Sequence, residues 1–303
     1  MSGSLGVRVG SVILKSPILT ASGTAGFGVE LAGYGDMAEL GGFVTKSLAA
    51  FEWPGNPPPR VTAVGEHLVN SVGLAGPGVA TWRLEHEPSL RARDVTVVAS
   101  IWGRTVQEFA DAAAALEGTS VVAVEANASC PNLEDRSSMF AHSVNATVDI
   151  VAAARTSGRP VWIKLSPNTP DLVSIATAAV AAGADAVVLV NTMLGLAIDV
   201  EARRPVLGGV GGGVSGPGIL PVSLRAVYDC RRALPGVAIV GVGGVRTGSD
   251  AVAMLMAGAN AVEVGTAIFA DPRAPWRIQR QLGHWMIAHG VEDVEELVGA
   301  AHG

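Results

Sequence analysis

The chain has 303 residues, 49% hydrophobic and only 16% charged, with a formal net charge of −6. That length admits one large α/β domain or two ordinary ones, and the low charge argues against a solvated or disordered chain. No basic cluster is present, which speaks against a nucleic-acid partner. Two distant cysteines, Cys130 and Cys230, make neither a disulfide framework nor a zinc site, and this fits a reducing cytoplasm. Residues 1–10 lack the basic start and apolar core of a signal peptide. The most apolar segment, 175–190, is broken by Gly183 and Asp185 and is too short to span a bilayer. The expectation is a soluble cytoplasmic protein with no membrane partner.

In chain order, Val7-Arg-Val9 and Val12-Ile13 flank Gly10-Ser11 and predict a small hairpin. Ile18-Leu-Thr20 reads as a strand running into Ala21-Ser-Gly-Thr-Ala-Gly-Phe-Gly28, where small residues let backbone approach a ligand. Gly42-Phe-Val-Thr45 is the next strand, with Lys46 and Ser47 at its end. A long excursion follows, with rigid loop over 53–60, a strand pair expected over 60–64 and 67–71, and a glycine-rich loop over 70–78. Connections of this length are usually functional.

Regular alternation returns after Arg93: strands over 95–101, 121–126, 161–165, 186–190, 238–241 and 261–264, and helices over 106–116, 143–156, 172–182, 222–234, 249–257 and 276–289. Ser143 is the expected cap of its helix. A second excursion runs from Asn191 to Pro221. Its run Gly208-Gly-Val-Gly-Gly-Gly-Val-Ser-Gly-Pro-Gly218 reads as a mobile lid or a second backbone cradle. Eight apolar strand runs, most separated by helices, predict a (β/α)8 TIM barrel with an N-terminal hairpin and long rim insertions, in a single domain over 1–303. An open doubly wound sheet is the alternative, but the glycines after the first strand match its Gly-x-Gly-x-x-Gly pattern poorly.

The polar residues and glycines gather at strand C-termini: Ser22, Lys46, Ser100, Asn127 with Cys130, Lys164, Asn191, Gly243 and Gly244, Gly265 and Thr266. In a barrel these converge on one rim, where active sites sit. The glycines after the last two strands fit a phosphate cradle, although tight strand–helix turns would look similar. Lys46 and Lys164 interrupt apolar strands and need anionic partners, either structural carboxylates or a ligand. Cys130 follows a buried strand directly and reads either as a site thiol or as a small hydrophobe. Lys164 is also a Schiff-base candidate if the barrel is a flavin-free aldolase or isomerase.

The motifs Ala21-Ser-Gly23, Thr45-Lys-Ser47, Asn70-Ser-Val-Gly-Leu74, Asn127-Ala-Ser-Cys-Pro-Asn132, Ile163-Lys-Leu-Ser-Pro-Asn168, Val190-Asn-Thr192, Gly212-Gly-Val-Ser-Gly-Pro217, Gly241-Val-Gly-Gly-Val245 and Gly265-Thr-Ala-Ile-Phe-Ala-Asp-Pro272 occur in order over nearly the whole chain. Together they resemble class 1 dihydroorotate dehydrogenases. The stretches 22–28 and 192–199 are most similar to the class 1B catalytic subunit. The resemblance implies an FMN-containing barrel that oxidises dihydroorotate to orotate, working as a homodimer or in a heterotetramer with an FAD and iron–sulfur subunit. It implies Cys130 as the base at C5 and hydride transfer from C6 to flavin N5. It places Lys46, Asn70, Ser71, Val72, Gly73, Leu74, Asn127, Asn132, Asn191 and Thr192 on the pyrimidine. It places Ser22, Lys46, Ser47, Ser100, Asn127, Lys164, Val190, Gly216, Gly243, Gly244, Gly265 and Thr266 on FMN, and implies no metal. A related dihydropyrimidine is the alternative substrate. Ser100 stands where the family commonly has asparagine, and Thr24-Ala25 replaces a more usual Cys-Phe pair.

Overall fold

The computed structural model describes residues 4–129 and 139–303. Strands β1 (Val7–Val9) and β2 (Val12–Leu14) form an antiparallel hairpin, turned at Gly10 with φ +59°. β3 (Ile18–Thr20) and β4 (Gly42–Val44) begin the barrel. The first excursion holds β5 (Val61–Val64) and β6 (His67–Asn70), paired antiparallel. β7 (Val97–Ile101), β8 (Ala123–Asn127), β9 (Val161–Leu165) and β10 (Ala186–Leu189) continue the barrel. The second excursion holds β11 (Met193–Gly195), β12 (Ile198–Asp199), β13 (Arg204–Pro205) and β14 (Gly212–Ser215). β15 (Ala238–Val242) and β16 (Ala261–Val264) complete the set.

Eight of these strands close in the order β10-β15-β16-β3-β4-β7-β8-β9, all parallel. The predicted barrel is therefore the observed fold, and the open sheet is not. These strands are buried on both faces, inward by the barrel interior and outward by the helices. That is why they read as unbroken apolar runs. Helices Val106–Ala114 and Val144–Ala154 start where the side chains of Thr105 and Ser143 accept backbone N–H bonds from Glu108 and Ala146. Gly248–Ala257 starts in a capping box of Thr247 and Asp250.

Two segments depart from the sequence reading. Helices Gly78–Glu85 and Glu87–Arg91 fill a part of the first excursion to which the sequence assigned no element. Over its central part the glycine run is a strand rather than irregular loop. It forms β14, which pairs with β6 on one side and β11 on the other. The two excursions thus zip into one antiparallel sheet, β11-β14-β6-β5, above the barrel mouth. Glycines fit there because the strands pack closely: a Cβ at Gly213 would run into the Thr192 side chain, and one at Gly212 into the Asn70 carbonyl.

Candidate active site

The C-terminal ends of the barrel strands and the underside of the rim sheet enclose a cavity of about 1130 Å³. Its wall includes Ser22, Lys46 and Ser47, the loop 70–74, Asn127, Lys164, Val190, Asn191 and Thr192. Gly216, Gly243, Gly244, Gly265 and Thr266 line the remainder. Ser100 does not reach it. It is wholly buried behind Ser47, with the two hydroxyl oxygens 2.9 Å apart. Cys130 and Asn132 lie outside the described residues.

The polar floor is a linked set. Asn191 donates to Asn127 Oδ1 at 3.1 Å, and Asn127 donates to Ser47 Oγ at 3.3 Å. This chain joins the ends of β4, β7, β8 and β10 and fixes the rotamers of the amides facing the cavity. Asn168 extends it, donating to the Thr192 carbonyl at 3.0 Å and accepting from the Leu194 N–H at 2.9 Å. On the opposite wall, Asn70 donates to the Gly213 carbonyl at 3.1 Å. The loop 70–74 is clamped from outside: the Asn56 amide donates to Ser71 Oγ at 2.9 Å, and Arg60 donates to the Asn56 and Pro54 carbonyls at 2.7 Å. Gly73 and Leu74 both take positive φ, +68° and +60°.

The two lysines have opposite surroundings. Lys46 Nζ donates to the Ala75 carbonyl and sits 5.5 Å from the Phe27 ring centroid. Among the described residues it makes no ion pair. Burial, with the Arg60 charge adding to it, pulls its pKa from 10.5 down to about 8. Lys164 instead reaches Glu263 at 2.8 Å and Glu125 at 3.4 Å, with Ser22 Oγ at 3.3 Å. Burial alone would lower its pKa, but the two carboxyl groups outweigh burial and hold it as an ammonium above its usual value. That removes the Schiff-base alternative, which needs a neutral amine. Only one lysine is thus left for a ligand to neutralise; the structural-carboxylate reading holds for Lys164 and not for Lys46.

At the far end of the cavity, Gly243 and Gly244 take φ values of +122° and +81°. A Cβ at Gly244 would meet the backbone and side chain of Leu220, and one at Gly265 would lie 3.3 Å from Ala21 Cβ. Gly243 and Gly244 thus carry turns and contacts that a side chain would strain, and with Gly265 they line the cavity. Sequence reasoning missed Arg246, Arg277 and His67, which also line this end. It also missed the partners of Lys164. Glu125 and Glu263 sit mid-strand, and only their inward direction brings them together.

The family model for dihydroorotate dehydrogenase matches residues 4–286. The chain is 44% identical over 298 residues to the dihydroorotate dehydrogenase B (NAD(+)) catalytic subunit of Desulforudis audaxviator, covering 98% of this chain and 97% of that protein. It is 40% identical over 305 residues to the subunit of the same name from Trichlorobacter lovleyi, covering 100% of both. With the one from Alkaliphilus oremlandii it shares 40% over 297 residues, 98% of each.

Proposed function

The chain belongs to the dihydroorotate dehydrogenase family, and from that membership and the geometry of the rim we propose that it oxidises dihydroorotate to orotate in pyrimidine biosynthesis, with FMN as cofactor. The observation that carries the reading is Lys46: a mostly buried cation without an anionic partner among the described residues, lining the same cavity as the amides of Asn70, Asn127 and Asn191. A pyrimidine carboxylate supplies the missing charge, and the amides supply both donors and acceptors to the ring. Asn132, outside the described residues, is assigned to the same ring by family membership.

The residues fit FMN. Gly243, Gly244, Gly265 and Thr266 line the same cavity as Lys164 and Ser22, and backbone N–H groups at these strand ends would receive an anion. The volume of about 1130 Å³ accommodates a flavin and a pyrimidine together. Ser22, Ser47, Lys164, Val190, Gly216, Gly243, Gly244, Gly265 and Thr266 would hold the cofactor. Ser100 would act on it only through Ser47. FMN, when bound, supplies the acceptor for the hydride that leaves C6 of the substrate. Lys46 holds the substrate carboxylate, the amide chain from Asn191 to Ser47 keeps the ring in one orientation, and the rim sheet excludes water. Cys130, by family membership, takes the C5 proton on its thiolate.

The relatives are named as catalytic subunits acting with NAD(+). We take this chain to pass electrons to an FAD and iron–sulfur partner in a cytoplasmic heterotetramer, since its two cysteines are too few to ligate a cluster. Among the described residues no helix is long and apolar enough to cross a membrane. The test is anaerobic titration with dihydroorotate and with dihydrouracil, which lacks the carboxylate. Dihydroorotate should reduce the bound flavin and dihydrouracil should not; equal reduction by both removes the role given to Lys46.

A further inference from the structure

The barrel interior beneath the cavity holds three ionisable side chains that the proposed reaction does not use directly. Glu125 stands at the middle of β8, Lys164 on neighbouring β9, and Glu263 on β16 across the barrel. Their side chains are 0%, 4% and 0% exposed. Lys164 is the one cation ion-paired to either carboxyl group among the described residues. Both Oε1 atoms, on Glu125 and on Glu263, lack a hydrogen-bond partner there. Two full negative charges against one positive charge would leave an excess anion inside a closed barrel, which is very costly. Two carboxyl groups gathered on one ammonium avoid that cost by retaining one proton between them.

We propose that Glu125 and Glu263 are positioning residues that share one negative charge, hold Lys164 as an ammonium at the cavity wall, and thereby set how strongly the site favours a reduced, anionic cofactor. The proposal rests on the FMN reading above. Burial and the Glu125 charge push the Glu263 carboxyl well above its usual range, with Lys164 only partly offsetting them, in keeping with a retained proton. The interior triad is then neutral as a whole. Its positive end reaches Ser22 at the wall, and its negative end lies deeper. Placing a glutamate on the far strand β16 and another on β8 fixes Nζ from two directions, which one partner would not do.

The arrangement predicts an asymmetry between single and double substitution. Glutamine mimics the protonated carboxyl group, so Glu125→Gln or Glu263→Gln alone keeps the triad neutral. Each single variant should therefore keep the flavin midpoint potential within twofold in the underlying equilibrium, about 9 mV for a two-electron couple. The double variant leaves Lys164 uncompensated. It should favour the reduced cofactor at least tenfold, about 30 mV more positive. The experiment is a dye-referenced anaerobic reduction of each holoenzyme. A single variant that shifts the potential by about half as much as the double, or more, would mean that both carboxylates are charged, and would overturn the proposal. So would a double variant with an unchanged potential. Should the double variant not fold, Glu263→Leu and Glu263→Gln decide the matter through FMN affinity, read by fluorescence on diluting the holoenzyme. Leucine should weaken FMN at least tenfold and glutamine less than threefold; equal losses overturn the positioning role. A wild type without FMN removes the cofactor reading, and this inference with it. A flavin-loaded wild type whose variants behave alike removes this inference alone.

Discussion

Replacing Lys46 by methionine should stabilise the ligand-free protein while disabling it. The side chain keeps its length and apolar stem but loses the charge. In the folded chain burial and Arg60 lower the Lys46 pKa from 10.5 to about 8. A group whose folded pKa lies below its unfolded value opposes folding below the folded pKa, and that opposition disappears as pH rises through the unfolded one. Here the cost is about 3 kcal/mol below pH 8 and fades between about 8 and 10.5. Methionine also forfeits the bond to the Ala75 carbonyl, which offsets about 1 kcal/mol of the gain. Lys46→Met should thus gain about 2 kcal/mol at pH 7 and almost nothing at pH 10, read by urea unfolding of the ligand-free protein. Orotate binding should fall at least on the order of 10²-fold, because a buried carboxylate loses its partner. Wild-type affinity for orotate should itself weaken above about pH 8, where the free lysine loses its proton. A variant less stable than wild type at pH 7, or a stability difference that does not change with pH, would refute the reasoning.

Cys130→Ser should retain FMN and orotate binding but reduce with dihydroorotate ~10²–10⁴-fold more slowly near neutral pH, the usual contribution of a positioned base. Stopped-flow reduction across pH checks this, and equal rates would move the base elsewhere. Gly244→Ala forces an L side chain to φ +81° against the Leu220 backbone. It should cost roughly 1–3 kcal/mol in stability and release FMN on dialysis; retention of FMN at full stability would contradict the cradle. The chain alone should reduce NAD poorly, and adding the partner subunit should restore turnover; rapid NAD reduction by the isolated chain would contradict the electron route.

The barrel was legible because its strands are buried on both faces. A two-sided strand must be apolar throughout, and runs such as Val97-Val-Ala99 and Ala186-Val-Val-Leu189 have few other homes. The cap of Val144–Ala154 was legible because Ser143 acts on backbone three residues away. What failed was non-local. β14 carries three small residues in four and has little intrinsic preference for a strand; its pairing with β6 comes from a segment far away in the chain. The helices Gly78–Glu85 and Glu87–Arg91 follow Gly76-Pro-Gly78 and contain Pro88, and these breaker residues hid the helical pattern. Within the site, sequence located the strand ends but not side-chain direction. It could not tell that Ser100 turns behind Ser47, nor that two mid-strand glutamates turn inward to Lys164.

The most direct measurement is the visible absorbance spectrum of the purified chain, taken anaerobically before and after adding dihydroorotate, with the released cofactor identified after denaturation. The account predicts an oxidised flavin band, its loss on addition of dihydroorotate, and release of FMN rather than FAD. A preparation that stays colourless after reconstitution with FMN, or a flavin band that dihydroorotate leaves intact, would contradict it.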